Sequence, residues 1–162
     1  MNRHLFPDPR HDHRDCVDET LDRAERQCAR EGVRLTPLRR EVLGIIASGH
    51  EALGAYDIIE RMGGTDGRPP APITVYRVLD FLREHGLVHK VESKNAYVAC
   101  SHAHGPAERA LLMICEDCGT VAELEAPGVF AAIDEASREC GFANAHSVVE
   151  LHGRCGHCHA AG

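Results

Sequence analysis

Two Cys-x-x-Cys pairs point most directly to chemistry in this chain: Cys115 with Cys118, and Cys155 with Cys158. Each short turn aims two sulfurs at one point, and two such pairs supply the four thiolates of a tetrahedral zinc site. A redox dithiol, the alternative for either pair, normally comes as a single pair that opens a helix after a strand. We therefore predict a structural zinc site. Four cysteine ligands leave no open position for water, so this site would hold the fold together and not catalyse.

The length and composition limit the class of protein. The chain has 162 residues, of which 43% are hydrophobic, enough for one ordinary domain or two small ones with a real core. It contains no run of eighteen apolar residues, and its first residues lack the apolar segment of a signal peptide. We therefore expect a cytoplasmic protein with no membrane partner. In that compartment, eight cysteines indicate metal ligands and free thiols, not a disulfide framework.

The charge is unevenly distributed along the chain. The net charge of −7 taken alone argues against a nucleic-acid partner. Residues 1–94, however, carry 15 basic and 16 acidic side chains, whereas residues 95–162 carry 3 basic and 9 acidic ones. The first part can therefore present a local basic face, and only the second part would repel phosphate.

Local patterns predict helices in the first part of the chain. Residues 1–14, rich in His, Asp, Arg and Pro, are typical of a disordered arm. Thr36 followed by Pro37 is a strong helix start. Apolar spacing and glycine stops predict four helices, at about 15–30, 37–48, 55–62 and 73–85.

The strand patterns complete two units of an α+β protein. Residues 87–93 and 96–100 form a predicted hairpin, and helices followed by a hairpin in this order are typical of a winged helix, here spanning 15–100. Residues 101–162 contain strand, strand, helix and strand patterns, which predict a small α/β domain.

The last helix before the hairpin is the one that a winged helix presents to the DNA major groove. Its first turns carry Thr74, Tyr76 and Arg77. The Arg77 guanidinium suits a bidentate contact with guanine, and Thr74 or Tyr76 suits a thymine methyl group or a phosphate. The alternative for Arg77 is a surface salt bridge with Asp80 or Glu84 on the same helix.

Other side chains of the first part suit contacts with the DNA backbone. Tyr56, on the preceding helix, is placed for a phosphate contact. Arg39 and Arg40, with Arg34 nearby, would add a salt-dependent attraction that does not read sequence. We therefore predict double-stranded DNA as the partner.

The chain resembles the ferric uptake regulator family of metal-sensing repressors. The resemblance is carried by RLTPLRREVL, by APITVYRVLDFL and by ICEDCG followed by CGHC; within the family, GLVHKVESKNAYVAC is most similar to the zinc uptake regulator branch. It implies that a homodimer binds operator DNA when loaded with metal and represses zinc uptake genes. It also implies that 101–162 is a metal-binding dimerisation domain that follows the N-terminal winged-helix DNA-binding domain.

The same resemblance implies a second, regulatory zinc site at the hinge, so that each subunit would hold one structural and one regulatory ion. His89, Cys100 and Glu123 match positions of its ligands. At the position of the usual fourth ligand, a histidine, this chain has Glu108. Either Glu108 binds through oxygen, or His102 or His104 supplies a nitrogen. His102 is favoured, because it points the same way as Cys100 on an extended strand.

Other functions remain open at the level of sequence. Iron-, manganese- and peroxide-responsive regulators belong to the same family, although a cysteine ligand favours zinc over the harder metals. A zinc hydrolase would use His89, Cys100 and Glu123 as ligands with Glu108 as base, but the chain lacks the common zinc-enzyme signatures. A zinc-storage protein would need no DNA. We therefore expect a regulator and not an enzyme.

Overall fold

The computed structural model describes residues 5–7, 11–63, 68–101 and 109–160. Within these ranges the chain forms six α-helices and six strands. They are α1 (Arg14–Glu31), α2 (Pro37–Ala47), β1 (Leu53–Gly54), α3 (Ala55–Met62), α4 (Pro72–Glu84), β2 (Val88–Val91), β3 (Ala96–Ala99), β4 (Leu111–Cys115), β5 (Val121–Leu124), α5 (Pro127–Glu139), β6 (Val149–Gly153) and α6 (Gly156–Ala160).

The first four helices pack around one apolar core. Helix α2 begins as the sequence predicts: the Thr36 side chain accepts a hydrogen bond from the backbone N–H of Arg39, and Pro37 occupies the first turn. Its buried face, with Val42 and Leu43, lies against apolar side chains of α1, α3 and α4. The buried faces of all four helices repeat at helical spacing, which is why local pattern was sufficient to locate them.

A three-stranded antiparallel sheet in the order β1-β3-β2 completes the winged helix. The β2–β3 connection is one 3₁₀ turn, Glu92–Lys94, closed by Asn95 in a left-handed conformation with φ 47°. Asparagine tolerates this backbone better than most side chains. The winged helix and the hairpin are confirmed, whereas the two-residue strand β1 and helix α6 are too short for a periodic pattern and were not predicted.

The second sheet has the strand order β5-β4-β6. Along the chain, α5 lies between β5 and β6. Strands β4 and β5 are antiparallel, and β4 and β6 are parallel. A parallel pair requires a long crossover, which α5 supplies, and Phe130 on that helix is buried. This arrangement confirms the predicted small α/β unit.

The two parts of the chain are packed together. Val91 and Val98 of the wing share a buried apolar cluster with Leu112, Ile114 and Val121. The loop before β1 also pairs with the β4–β5 turn, where the backbone N–H of Val121 donates to the carbonyl of His50 at 2.7 Å. The metal-ligand residues of the hinge therefore lie in a packed interface. Dividing the chain at residues 100 and 101 remains a prediction.

The N-terminal arm also has defined contacts. Disorder of residues 1–14 remains a prediction from composition, and the structure describes 5–7 and 11–14 of them. Among these, His11 and His13 pack against the His50 ring, and the carbonyl of Phe6 lies 3.0 Å from Nε2 of His157. Distant segments thus supply the partners of Phe6, His11 and His13. Among the helices described, none is both long and apolar enough to cross a bilayer.

Candidate metal centres and nucleic-acid-binding surface

The four cysteines of the two Cys-x-x-Cys pairs converge at one end of the second sheet. Cys115 ends β4, and Cys118 lies in the β4–β5 turn. Cys155 directly precedes α6, and Cys158 lies within that helix. Their four sulfurs lie within 4.8 Å of one another, and the sulfurs of Cys118 and Cys155 are 3.8 Å apart. This spacing suits the corners of a tetrahedral thiolate site.

Backbone dipoles around this cluster favour a thiolate. Burial alone would raise the pKa of Cys115, but backbone N–H groups of Cys118, Cys155 and Asp117 outweigh it and lower the pKa to about 6. The N–H of Cys155 lies 3.3 Å from the Cys115 sulfur. Cys158 shows the opposite shift, because hydrogen bonding with the neighbouring Cys155 raises its pKa to about 12. A bound cation would instead stabilise the thiolate form of all four sulfurs, so the donor set fits zinc.

A second centre lies between the wing and the second sheet. Its residues come from three strands or strand ends: His89 from β2, Cys100 directly after β3, and Glu123 from β5. Glu123 is central, because its carboxylate lies 2.9 Å from Nε2 of His89 and 3.4 Å from the sulfur of Cys100. The three ligand atoms lie within 4.8 Å of one another. The structure thus brings together three residues that the family resemblance selected.

Strand pairing and burial position these ligands. His89 pairs with Val98 in the wing, and the N–H of Cys100 donates to the carbonyl of Leu87 at 3.1 Å. The side chains of His89 and Glu123 are only 19% and 3% exposed. A buried carboxylate requires compensating partners, and the backbone N–H of Ser101 supplies one at 3.0 Å. Nitrogen, sulfur and oxygen donors converge here in a form that zinc accepts.

The fourth ligand of this centre stays open. His102, His104 and Glu108, the alternatives from the sequence, all lie outside the described residues. Arg23 of α1 donates to the carbonyl of Cys100 and so ties the first helix to the residue that follows β3. Pattern reasoning missed this contact because 77 positions separate the two residues.

The first turns of α4 present an exposed face. Arg77 is exposed, Tyr76 is 37% exposed and Thr74 is partly exposed. Among the described residues, Arg77 forms no ion pair; Asp80, one of its two possible partners, instead lies 3.9 Å from Arg83. Ile73, which the sequence did not single out, is 61% exposed beside them. In the sequence, Ile73 was marked only by its position, as an apolar residue directly after Pro72 at the start of the recognition helix.

The three other candidate DNA contacts differ in their availability. Tyr56 on α3 is 71% exposed. Arg39 lies with its guanidinium carbon 3.4 Å from the centre of the Phe81 ring and donates to the carbonyl of Arg34. Arg40 is paired with Glu25 of α1. Both arginines thus hold α2 to neighbouring segments. In a DNA complex, either guanidinium would have to be shared between its present partner and a phosphate.

A winged helix with an exposed recognition helix, joined to a second sheet through one cluster of metal-ligand side chains and followed by a four-cysteine cluster, defines a class of metal-dependent DNA-binding regulators. The chain belongs to the ferric uptake regulator family, whose sequence model matches residues 30–152. It is 44% identical over 143 residues to the zinc uptake regulation protein of Escherichia coli K12, covering 88% of this chain and 82% of that protein.

Two groups of solved structures are informative. A zinc uptake regulator complexed with zinc and DNA superposes with a TM-score of 0.82 at 41% identity, covering 90% of this chain and 96% of the other. Holo XcZur superposes with a TM-score of 0.80 at 37% identity, covering 88% and 99%. Apo XcZur, also 37% identical and covering 90% and 99%, reaches only 0.53. At equal identity the chain thus superposes more closely on the holo structure than on the apo structure.

Proposed function

We propose that the protein is a zinc-responsive transcriptional repressor that binds operator DNA as a zinc-loaded homodimer and represses zinc uptake genes. The observation that carries the proposal is the cluster of half-buried His89 with buried Cys100 and Glu123 between the wing and the second sheet. A cation bound there would contact both parts of the chain. It could thus set the position of the recognition helix relative to the second sheet.

We assign one structural and one regulatory zinc ion to each subunit. Cys115, Cys118, Cys155 and Cys158 would hold the first, and its closed sulfur set would stabilise the fold. His89, Cys100 and Glu123, completed by His102 or Glu108, would hold the second. A thiolate and an imidazole favour zinc over iron(II) or manganese at this centre. The similarity to zinc uptake regulators supports the same metal.

The DNA-binding surface would be the exposed start of α4. Thr74, Tyr76 and Arg77 would enter the major groove, and Tyr56 would contact the backbone. Arg39 and Arg40 would add to the attraction while keeping their contacts to Phe81 and Glu25. The relative that was solved with zinc and DNA supports operator binding by this winged helix.

Homodimer formation has support in the second sheet. Strand β6 lies at an edge of the sheet, and four apolar side chains near it or on α5 are exposed among the described residues. Apolar side chains left exposed on and near an edge strand favour association with another chain. These side chains are Val129 at 42%, Phe142 at 65%, Val148 at 45% and Leu151 at 49% exposure.

The test is fluorescence anisotropy of a labelled duplex from upstream of zinc-transporter genes of the same genome. Protein is titrated at buffered free zinc, and then with manganese or iron(II), at one fixed ionic strength because affinity for DNA depends on salt. We expect tight binding with zinc and weak binding with the other two ions.

Each other result has a clear meaning. Equal binding without metal, or a response to manganese or iron(II) instead, would overturn the zinc assignment. If no metal promotes binding to any upstream duplex, the repressor function is wrong. Because linkage is reciprocal, zinc must also bind more tightly when operator DNA is present, which a competition with a zinc indicator measures independently.

A further inference from the structure

A third cluster of metal-ligand side chains lies outside both centres described above. His11, His13 and Cys16 come from the arm and the first turn of α1, and His50 comes from the loop between α2 and β1. Their ligand atoms all lie within 4.8 Å of one another, and all four residues are partly buried. The sequence shows only the first three as neighbours, because 34 positions separate Cys16 from His50.

The distances fit a small tetrahedral ion. Nε2 of His50 and Nε2 of His11 are 3.3 Å apart, and the Cys16 sulfur lies 3.1 Å from His11 and 4.0 Å from His50. Zinc bond lengths place nitrogen ligands about 3.3 Å apart, and nitrogen and sulfur ligands about 3.6 Å apart. The observed separations lie around these values.

The surroundings of the rings also fit a ligand set. Nδ1 of His13 is buried and has no hydrogen-bond partner in the described part of the chain, although a buried polar nitrogen normally has one. Burial, together with the neighbouring His13 and His11, lowers the pKa of His50 to about 4.

The position of the cluster connects three parts of the molecule. Through its backbone, the His50 loop pairs with the β4–β5 turn: His50 accepts from Val121, and Glu51 bridges to Thr120. That turn carries Cys118 of the four-cysteine centre. The arm that supplies His11 and His13 reaches α6 through Phe6 and His157. An ion in the cluster would thus bind the arm to a loop already attached to the second sheet.

We propose that His11, His13, Cys16 and His50 form a third metal site of the subunit, which takes zinc and fastens the N-terminal arm to the α2–β1 loop. Three imidazoles and one thiolate select zinc over magnesium or calcium. The site would be a closed, four-ligand one, and hence structural. This inference concerns metal content alone and does not depend on DNA binding.

The test counts zinc in the full-length protein after equilibration with a zinc buffer and gel filtration. We expect three zinc ions per subunit in the wild type and two in Cys16→Ser or His50→Ala. The matched controls are Cys140→Ser and His146→Ala, which remove an exposed thiol and an exposed imidazole elsewhere and should leave three ions. A count of two in the wild type, or of three in both cluster variants, would overturn the proposal.

A double variant separates this site from the hinge centre. Glu123→Ala should hold two ions, and Glu123→Ala combined with Cys16→Ser should hold one. If Cys16→Ser only disturbed the hinge indirectly, the double variant would hold as many ions as Glu123→Ala alone, and the third site would be wrong.

Hydrogen exchange of residues 11–18 provides a second readout. It should slow at least about tenfold on zinc addition in the Glu123→Ala background and be unchanged in the double variant. Equal protection in both proteins would contradict fastening of the arm.

Discussion

Glu123 is the residue on which the hinge centre depends most. It is buried, and its carboxylate contacts the His89 ring, the Cys100 thiol and the N–H of Ser101 at the junction of the wing and the second sheet. A buried negative charge is costly unless positive or hydrogen-bonding partners compensate it. Zinc would supply that compensation directly, so this one side chain can link metal binding to the contact between the two parts.

We expect Glu123→Gln to weaken zinc binding at the hinge by at least about tenfold, because it removes the one anionic oxygen ligand among the described residues. DNA binding at intermediate free zinc should fall in parallel. The measurement is a zinc-indicator competition followed by anisotropy. Glu125→Gln is the matched control, since Glu125 is two positions away and exposed. Equal zinc affinity in the two variants would remove Glu123 from the ligand set.

Arg77→Ala should weaken operator binding about 10- to 100-fold, because a bidentate arginine–guanine pair contributes roughly 1–3 kcal/mol of base discrimination. The loss of affinity should be smaller on duplexes of unrelated sequence, and the zinc content of the protein should not change. Arg138→Ala is the charge-matched control, since Arg138 lies on α5 and pairs with Glu135. The same loss on specific and unrelated DNA would show that Arg77 contacts phosphate and does not read a base.

The wing is held to the second sheet by a carboxylate as well as by apolar packing. The side chain of Glu150 on β6 accepts from the backbone N–H of Glu92 at 2.6 Å and of Ser93 at 3.1 Å. These donors lie in the 3₁₀ turn at the tip of the wing. The contact therefore ties the β2–β3 hairpin, which carries His89, to a strand that carries no ligand of the hinge centre.

The wing contact should weaken in acid. Burial alone would raise the pKa of Glu150, but hydrogen bonds from Ser93 and from the N–H of Glu92 outweigh it and lower the pKa below its usual 4.5. A group whose pKa is lower in the folded state contributes stability above its unfolded pKa. That contribution is lost as the pH falls from about 4.5 through the folded pKa.

Glu150→Gln should therefore cost about 1 kcal/mol at pH 7, since a charged acceptor forms stronger hydrogen bonds than a neutral one. Below pH 4.5 the variant and the wild type should converge. Urea unfolding between pH 7 and pH 3 measures both effects. Glu139→Gln, at the exposed end of α5, should follow the wild type throughout. A constant difference across this pH range would exclude the Glu150 carboxylate as its source.

Besides the exposed start of α4, the described residues include apolar side chains that stay exposed on and before β6. Leu151 lies on the edge strand β6, and Phe142 and Val148 lie on the connection that leads into it. An uncovered edge strand with apolar neighbours favours association with another chain. A second copy would also place two recognition helices in one assembly, as two half-sites of an operator require.

Leu151→Asp should shift the protein from dimer to monomer, because it would place a charge in an apolar interface. Light scattering coupled to gel filtration measures the mass, and zinc analysis checks that the metal is retained. Val129→Asp tests whether the α5 surface belongs to the same interface. A dimeric Leu151→Asp protein with normal zinc content would place the interface elsewhere.

Helices α1 to α5, the wing hairpin and the strands of the second sheet were predictable from the sequence because each depends on neighbours in the chain. Apolar spacing, the Thr36 cap and the turn at Asn95 act over a few residues, so they are readable without a fold. The four-cysteine cluster was predictable for a related reason: each Cys-x-x-Cys turn already supplies half of a tetrahedral set. The hinge ligands came from the family resemblance, since nothing local marks Glu123.

The contacts between distant segments required the folded chain. His50 joins His11, Arg23 reaches Cys100, and Glu150 accepts from the wing only because packing brings together residues between 39 and 77 positions apart. The same packing engages Arg39 and Arg40 with Phe81 and Glu25, which charge alone did not reveal. Local order is encoded by the residue types of a short window, whereas long-range proximity results from burying the apolar faces of those elements against one another.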